Sequence, residues 1–127
     1  MSETLPRFHA LKVGDQATVS RHFSAGELSQ WCALVNFPEA RCATVPEPLI
    51  AGLFSYLLGE KLPGHGTNYL KQSLHFEQNA DVGEALTAKV TVTRLRADKA
   101  LVNLATECTG ANGRMICSGE ALVLFQC

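Results

Sequence analysis

The chain has 127 residues, of which 46% are hydrophobic and 18% are charged, and its formal net charge is −1. These values are typical of one globular domain with its own core, and they argue against a disordered chain. The near balance of 11 basic and 12 acidic residues gives no reason to expect binding to nucleic acid or to an anionic membrane surface. We therefore expect a single domain over residues 1–127.

The N-terminal segment and the cysteines bear on the cellular compartment. The first 15 residues contain no apolar run of signal-peptide length, so the sequence predicts a cytoplasmic protein. Since no two cysteines have C-x-x-C spacing, we expect free thiols rather than disulfides or metal ligands, and we predict no metal site. The five cysteines are Cys32, Cys42, Cys108, Cys117 and Cys127.

The first third of the chain predicts a strand followed by a capped helix. Residues 16–23 alternate between polar and apolar, which indicates a strand. Ser24 and Glu27 have the spacing of a capping box, in which each side chain accepts a hydrogen bond from the backbone N–H of the other residue. The following apolar residues recur at helical spacing and form one face: Leu28, Trp31, Cys32 and Val35. We expect this helix to end near Asn36.

The segment 45–59 predicts a buried central helix. Its apolar residues recur at helical spacing on nearly every side, which is typical of a helix inside the core. They are Leu49, Ile50, Leu53, Phe54, Leu57 and Leu58. Pro48 suits the first helical position, and Gly59 predicts the end. At about a dozen residues, the helix is too short to cross a membrane.

After this helix the apolar period changes to two, which predicts four strands. Leu70, Leu74 and Phe76 would share the inner face of the first strand, with Gln72 between them. The second strand has Leu86, Ala88, Val90 and Val92 facing inward, and a break at Arg94-Leu95 indicates a bulge. Residues 101–109 and 115–125 form the last two strands around Asn112-Gly113, a hairpin signal. We predict a single α+β domain, a curved antiparallel sheet around the buried helix.

These motifs together resemble a known family, the MaoC-like (R)-specific enoyl-CoA hydratases, which have the hot-dog fold. The resemblance implies a homodimer, an acyl-CoA or acyl-carrier-protein thioester as the ligand, no separate cofactor, and a site where the central helix begins at the subunit interface. The matching segments are Val13-Gly14-Asp15 and residues 49–59, 61–64, 66–67, 69–74, 82–83, 86–88, 90–92 and 119–121, with Phe76.

This sequence lacks residues that the reaction of that family requires. Hydration of a trans-2-enoyl thioester needs a base for water, an acid for the α-carbon and a donor for the enolate oxygen. The family uses a D-x-N-P-x-H loop after the capped helix and a His-Gly pair that opens the central helix. Here that loop is shorter by about a dozen residues. Asn36 falls near the aspartate, no histidine follows, and Pro46-Glu47 replaces His-Gly.

We therefore expect a family member in fatty-acid or hydroxyalkanoate metabolism with weak or absent hydratase activity, so its status as an enzyme stays open. An amide cannot act as a general base, so Asn36 and Glu47 mark degenerate catalytic positions. One alternative is a non-catalytic acyl-CoA-binding protein, or one subunit of a heteromer whose partner supplies the missing loop. Another is a thioesterase in which Glu47 activates water, by analogy with other hot-dog proteins. Glu47 also fits an exposed residue at a helix start.

Three groups of residues are candidates for ligand contacts, and each has a plainer explanation. The backbone amides of Leu49 and Ile50 point out of the helix start and would face the thioester oxygen. An acyl pocket would be lined by Phe54, Tyr56 and Leu57, which equally fit core packing. The phosphates of coenzyme A would meet a cluster that equally fits a solvated turn: Arg94, Arg96 and Lys99.

Overall fold

The structure, a computed structural model, describes residues 6–35 and 44–125, without the side chains of residues 6 and 7. These residues form three α-helices and five strands. The helices are α1 (Pro6–His9), α2 (Ala25–Val35) and α3 (Glu47–Tyr56), which continues as a π-helical turn, Leu57–Lys61. The strands are β1 (Gln16–Arg21), β2 (Thr67–Phe76), β3 (Leu86–Arg96), β4 (Leu101–Thr109) and β5 (Met115–Phe125).

The five strands form one antiparallel sheet in the order β1-β3-β4-β5-β2. The apolar side chains of its inner face and those of α3 belong to a single core cluster. This arrangement confirms the predicted α+β domain, in which a sheet encloses a buried helix. It also leaves β2 at one edge of the sheet and β1 at the other.

The central helix is buried as predicted, although its start differs by one residue. Ile50, Phe54 and Leu57 are at most 1% exposed. Pro46 is the N-cap and Glu47 is the first helical residue, so Pro48 occupies the second position rather than the first. The rest of the helix surface carries small residues, and Gly52 and Ser55 are exposed.

The strands after the helix follow the predicted alternation most closely in the middle of the sheet. Residues 86, 88, 90 and 92 of β3 are buried, and β4 alternates over its whole length. The predicted bulge in β3 exists, but the register shifts between Val92 and Arg94, one residue earlier than expected. The hairpin signal is confirmed by Asn112 and Gly113, which adopt φ angles of 59° and 73° in the turn before β5.

Strand β2 follows the prediction only in its second half. Leu74 and Phe76 are partly buried against the core, as predicted. The pairing with β5 shifts register between Tyr69 and Lys71, and Leu70 is 54% exposed rather than inward-facing. Gln72 pairs with Ala121 but is exposed. The simple period-2 pattern could not reveal the inserted residue.

Two local predictions near α2 have different outcomes. The capping box is confirmed, because Ser24 N–H donates to Glu27 Oε1 at 3.1 Å and Glu27 N–H donates to Ser24 Oγ at 3.2 Å. The expectation of five free thiols is wrong, since Cys32 is disulfide-bonded. Spacing along the chain does not reveal which cysteines meet in space. Cys108 and Cys117 are free and buried, and the remaining two cysteines lie outside the described residues.

Replacing Phe54 tests whether this side chain is part of the core. Because Phe54 is fully buried, we expect Phe54→Ala to lower the free energy of unfolding by about 3–5 kcal/mol. Val13→Ala is the control, since Val13 is 63% exposed and its truncation should cost less than about 0.5 kcal/mol. Urea titration followed by circular dichroism measures both. Equal losses in the two variants would contradict this assignment.

Candidate functional site

The start of α3 offers few hydrogen-bond donors to a ligand. Pro48 has no N–H, and the N–H of Leu49 already donates to the Pro46 carbonyl at 3.1 Å. Ile50 is buried and is the fourth helical residue, where N–H groups enter the intrahelical hydrogen bonds. Of the first three helical residues, Glu47 alone has an N–H without a hydrogen bond among the described residues. Its carboxylate is exposed beside this N–H.

The segment before α3 is fixed by a loop that joins β2 to β3. Val45 N–H donates to the Ala80 carbonyl oxygen at 2.8 Å, and Thr44 forms an isolated bridge with Asp81. Ala80 and Val45 are both nearly inaccessible to solvent. This connecting loop, residues 77–85, therefore contacts the chain directly before the central helix.

A partly buried ion pair holds the connecting loop against the β4–β5 turn. Arg114 Nη2 donates to both carboxylate oxygens of Glu84, at 2.5 and 2.7 Å. Arg114 Nη1 donates to Gln78 Oε1 and to the Asn79 carbonyl, each at 2.9 Å. The Glu84 side chain is 6% exposed and that of Arg114 is 30% exposed. The two terminal nitrogens of the planar guanidinium thus bind different parts of the loop, which fixes the orientation of the side chain.

Backbone groups complete the environment of Glu84. Its carboxylate accepts the N–H of Asp81 at 2.9 Å and that of Ala111 at 2.7 Å. These two hydrogen bonds, together with Arg114, lower the pKa of Glu84. Gly110 makes room for the arrangement, because a Cβ at that position would overlap Glu84 Oε2.

Two buried thiols lie close to the same region. Cys108 and Cys117 are opposite each other on β4 and β5, and both are fully buried. Burial and the Glu84 charge raise the pKa of Cys108 to about 11. Burial, Cys108 and, less strongly, Glu47 raise the pKa of Cys117 to about 12. Both thiols are therefore protonated at neutral pH and are not suited to nucleophilic catalysis.

A shallow cavity of about 270 Å³ that is open to solvent lies between α2, the end of β1 and the start of α3. Leu49 lines it from the first turn of the central helix, and Leu34, 84% exposed, lines it from α2. The other wall contains Phe23, Gln30, Trp31 and the Arg21–Glu27 ion pair. Its volume is below the range of about 300–1,000 Å³ that is typical of small-ligand pockets. This cavity is the candidate binding site at the first turn of the central helix.

The predicted acyl-pocket residues do not form one surface. Phe54 and Leu57 are fully buried in the core, whereas Tyr56 is 44% exposed on another side of the helix. The structure instead shows a contact that sequence reasoning missed, in which the Tyr69 hydroxyl donates to Ser55 Oγ at 3.3 Å. Partial burial raises the pKa of Tyr69. The position of Tyr69 within a matching segment was the sequence signal that could have identified it.

The predicted phosphate-binding residues lie far from the helix start within one chain. Arg96 pairs with Leu101, which pairs with Leu124, at the end of the sheet where α3 finishes. Cys117, near the helix start, is seven residues before Leu124, a distance of about 24 Å along the strand. The three cations at that far end are Arg94, Arg96 and Lys99.

The remaining predicted positions add no acid–base group to the helix start. Asn36 lies outside the described residues. His9, His22, His65 and His75 are exposed, and His65 Nε2 lies 3.2 Å from Glu60 Oε2. Over residues 6–35 and 44–125, no cluster of three His, Cys, Asp or Glu side chains suits a metal ion. In the same part of the chain, no helix is long and apolar enough to cross a membrane.

Comparison with known proteins identifies the class to which this fold and site belong. The (R)-specific enoyl-CoA hydratase of Aeromonas caviae is 39% identical over 127 aligned residues, covering 90% of this chain and 95% of that protein. The solved (R)-hydratase from A. caviae, described as involved in PHA biosynthesis, has a TM-score of 0.82 and covers 90% of this chain and 96% of its own. Its sequence identity is 38%.

A more distant relative extends the comparison, and no family model matches the chain. The mitochondrial 3-hydroxyacyl-[acyl-carrier-protein] dehydratase FERN of Solanum lycopersicum is 26% identical over 130 residues, covering 91% of this chain and 78% of that protein. The fold is that of the hot-dog hydratases and dehydratases. The chain belongs to the family of MaoC-like (R)-specific enoyl-CoA hydratases, as its motifs predicted.

The lowered pKa of Glu84 makes an acid-stability test possible. A carboxyl whose pKa is lower in the folded than in the unfolded state stabilises the fold above the unfolded pKa, and this contribution disappears as pH falls through the folded pKa. The groups facing Glu84 are the Arg114 guanidinium and the protonated Cys108 thiol. We expect the unfolding free energy of the wild type to fall more steeply below about pH 4 than that of Glu84→Gln.

Urea titrations at several pH values between 3 and 7 measure this difference. Glu107→Gln is the control, because Glu107 forms an ion pair with Lys89 on the sheet surface and is 37% exposed in its side chain. An exposed pair contributes little, so its pH dependence should match the wild type. If the unfolding free energies of Glu84→Gln and the wild type change in parallel with pH, the predicted contribution of Glu84 is wrong.

Proposed function

We propose that the protein binds acyl thioesters of coenzyme A or acyl carrier protein as a hot-dog dimer and has little or no hydratase activity of its own. The observation that carries this proposal is the composition of the α3 start, with Pro46, Glu47 and Pro48 in succession. The family relationship supports the ligand class, because the relatives are named for enoyl-CoA and acyl-carrier-protein substrates.

The physical argument concerns the negative charge that develops during hydration. An enolate oxygen is stabilised by N–H groups at a helix N-terminus. Here one of the first three residues is a proline, and the N–H of Leu49 is already bonded to the Pro46 carbonyl. The Glu47 carboxylate adds a like charge at the same place, which opposes enolate formation. Neither a histidine nor an aspartate stands at the family's positions to move the protons.

Binding would depend on different features of the protein. The cavity beside Leu49 is mostly apolar and opens near the helix start, so it suits a short acyl chain. We propose that the phosphates of coenzyme A meet Arg94, Arg96 and Lys99. Because these cations lie at the opposite end of the sheet, they would reach the ligand of the partner subunit or the far end of an extended ligand.

The dimer is proposed from an edge of the sheet. Within residues 6–35 and 44–125, β2 has one neighbouring strand, β5, and two large apolar side chains of β2 are exposed, Tyr69 at 41% and Leu70 at 54%. Tyr56 adds a third on the adjoining helix surface. An exposed edge strand with apolar side chains is a template for pairing with another chain. The same surface could also receive a different hot-dog subunit.

A charge on this edge should prevent self-association. We expect the wild type to sediment as a dimer and Leu70→Glu to sediment as a monomer at micromolar concentration, because a carboxylate would be buried without a partner. Val13→Glu is the control, since Val13 is 63% exposed in the turn before β1, away from β2. A monomeric wild type in analytical ultracentrifugation would rule out the dimer.

Turnover of crotonyl-CoA tests the catalytic part of the proposal. We expect hydration at least about 10³-fold slower than by the A. caviae enzyme, because acid–base groups contribute about 10²–10⁴-fold. The loss of enoyl absorbance measures the rate. Asn36→Asp should not restore activity, since the proton donor would still be missing. A wild-type rate within about tenfold of the A. caviae enzyme would overturn the proposal, and its loss in Glu47→Ala would identify Glu47 as the base.

Calorimetric titration with butyryl-CoA, which has no double bond to hydrate, tests the binding part. We expect binding by the wild type and by Glu47→Ala. Leu34→Asp places a charge in the cavity and should weaken binding about tenfold or more, whereas Val13→Asp should leave it unchanged. Release of free coenzyme A that depends on Glu47 would favour the thioesterase alternative. If neither the wild type nor any variant binds butyryl-CoA, the binding proposal is wrong, and the alternative of a heteromeric subunit would be tested next.

A further inference from the structure

We infer that Arg114 is a positioning residue that sets the start of α3, and thereby the acyl-thioester site, from the opposite side of the connecting loop. Arg114 lies on the β4–β5 turn and makes no described contact with the helix itself. Its effect passes through residues 77–85. The part of this inference that concerns the ligand rests on the proposed function, whereas the part that concerns the helix start does not.

The first step is that Arg114 forms several hydrogen bonds with the connecting loop. Its guanidinium donates to Gln78, Asn79 and Glu84, which lie near both ends of that loop. Glu84 in turn accepts the N–H of Asp81 at 2.9 Å in the middle of the loop. Arg114 therefore binds the loop near its beginning and its end, and Glu84 binds its centre.

The second step is the contact between the loop and the helix start. The Ala80 carbonyl, directly between Asn79 and Asp81, accepts the Val45 N–H at 2.8 Å. Val45 is two residues before Glu47, the first residue of α3. A shift of residues 79–81 would move this acceptor and with it the chain that leads into the helix.

The third step is that the hairpin bearing Arg114 does not depend on this side chain. Its turn is closed by backbone hydrogen bonds, from Gly110 N–H to the Arg114 carbonyl at 2.7 Å and from Arg114 N–H to the Ala111 carbonyl at 3.2 Å. Truncation of the guanidinium leaves these bonds available. The predicted consequence is therefore local, at the connecting loop and the helix start, and exceeds the loss in the sheet.

Amide hydrogen exchange measures this local effect without any ligand. We expect the Val45 amide of Arg114→Ala to exchange at least tenfold faster relative to the Leu104 amide, which lies in the central strand β4 and reports opening of the sheet. Free guanidinium ion should restore part of the protection by occupying the vacated position. Arg114→Lys should be intermediate, because an ammonium cannot reproduce the planar fork.

Lys89→Ala is the matched control. Lys89 also forms an ion pair, with Glu107 at 2.8 Å, but it lies on the sheet surface with no described contact to residues 77–85. We expect this variant to leave the ratio of Val45 to Leu104 exchange unchanged. Equal acceleration of both amides in Arg114→Ala, or no acceleration at Val45, would overturn the inference.

Butyryl-CoA titration of the same variants tests the consequence for the site. We expect Arg114→Ala to bind at least fivefold more weakly than the wild type, with partial recovery in guanidinium, and Lys89→Ala to bind normally. Unchanged affinity in Arg114→Ala, despite faster Val45 exchange, would refute the role in the site. If the wild type itself does not bind, the proposed function fails, and the exchange experiment still decides whether Arg114 positions the helix start.

Discussion

The burial of α3 is the constraint on which the rest of the structure depends. A helix with Ile50, Phe54 and Leu57 fully enclosed must be covered by apolar surface, and each such side chain contributes about 1.5–3 kcal/mol when buried. Strands β3, β4 and β5 supply that cover with alternating side chains. Outside this cover, the exposed helix residues include Gly52 and Ser55, and Ser55 accepts a hydrogen bond from Tyr69 of β2 at 3.3 Å. The packing that encloses the apolar side chains thus leaves part of the helix surface exposed among the described residues.

Burial fixes the body of the helix but not the position of its first turn. Apolar packing is not directional, so it tolerates small shifts along the helix axis. The first turn is instead located by directional bonds, from Val45 to Ala80 and from the connecting loop to Arg114. A partly buried ion pair is by itself weak evidence for stability. In this fold, apolar burial against the sheet stabilises the helix, and the Glu84–Arg114 pair holds the connecting loop that contacts Val45.

Sequence reasoning predicted the parts of the fold that arise from periodic burial. Buried and less buried residues alternate along β3 up to Val92 and along β4, and the capping box of Ser24 and Glu27 is local. The strands and the capping box could therefore be predicted from the sequence. The bulge beside Leu70 could not be predicted from the sequence, because an inserted residue changes the strand pairing without changing the composition. The Glu84–Arg114 pair could not be predicted either, since its partners are 30 residues apart. For the site, the residue types at the helix start were informative, but the cavity beside Leu49 required the fold.

The requirements for catalysis differ from those for folding. Hydration depends on how the start of the helix stabilises charge, whereas the fold depends on the burial of the helix's apolar side chains. The partial positive charge at a helix start can stabilise an enolate that forms during a reaction or a carboxylate that is always present. In this chain the exposed first residue of α3 is Glu47. Only a difference in stabilisation between the resting protein and the transition state accelerates a reaction. Under the proposed function, a carboxylate at the helix start opposes the enolate of hydration, whereas the binding of a thioester needs no such difference between states.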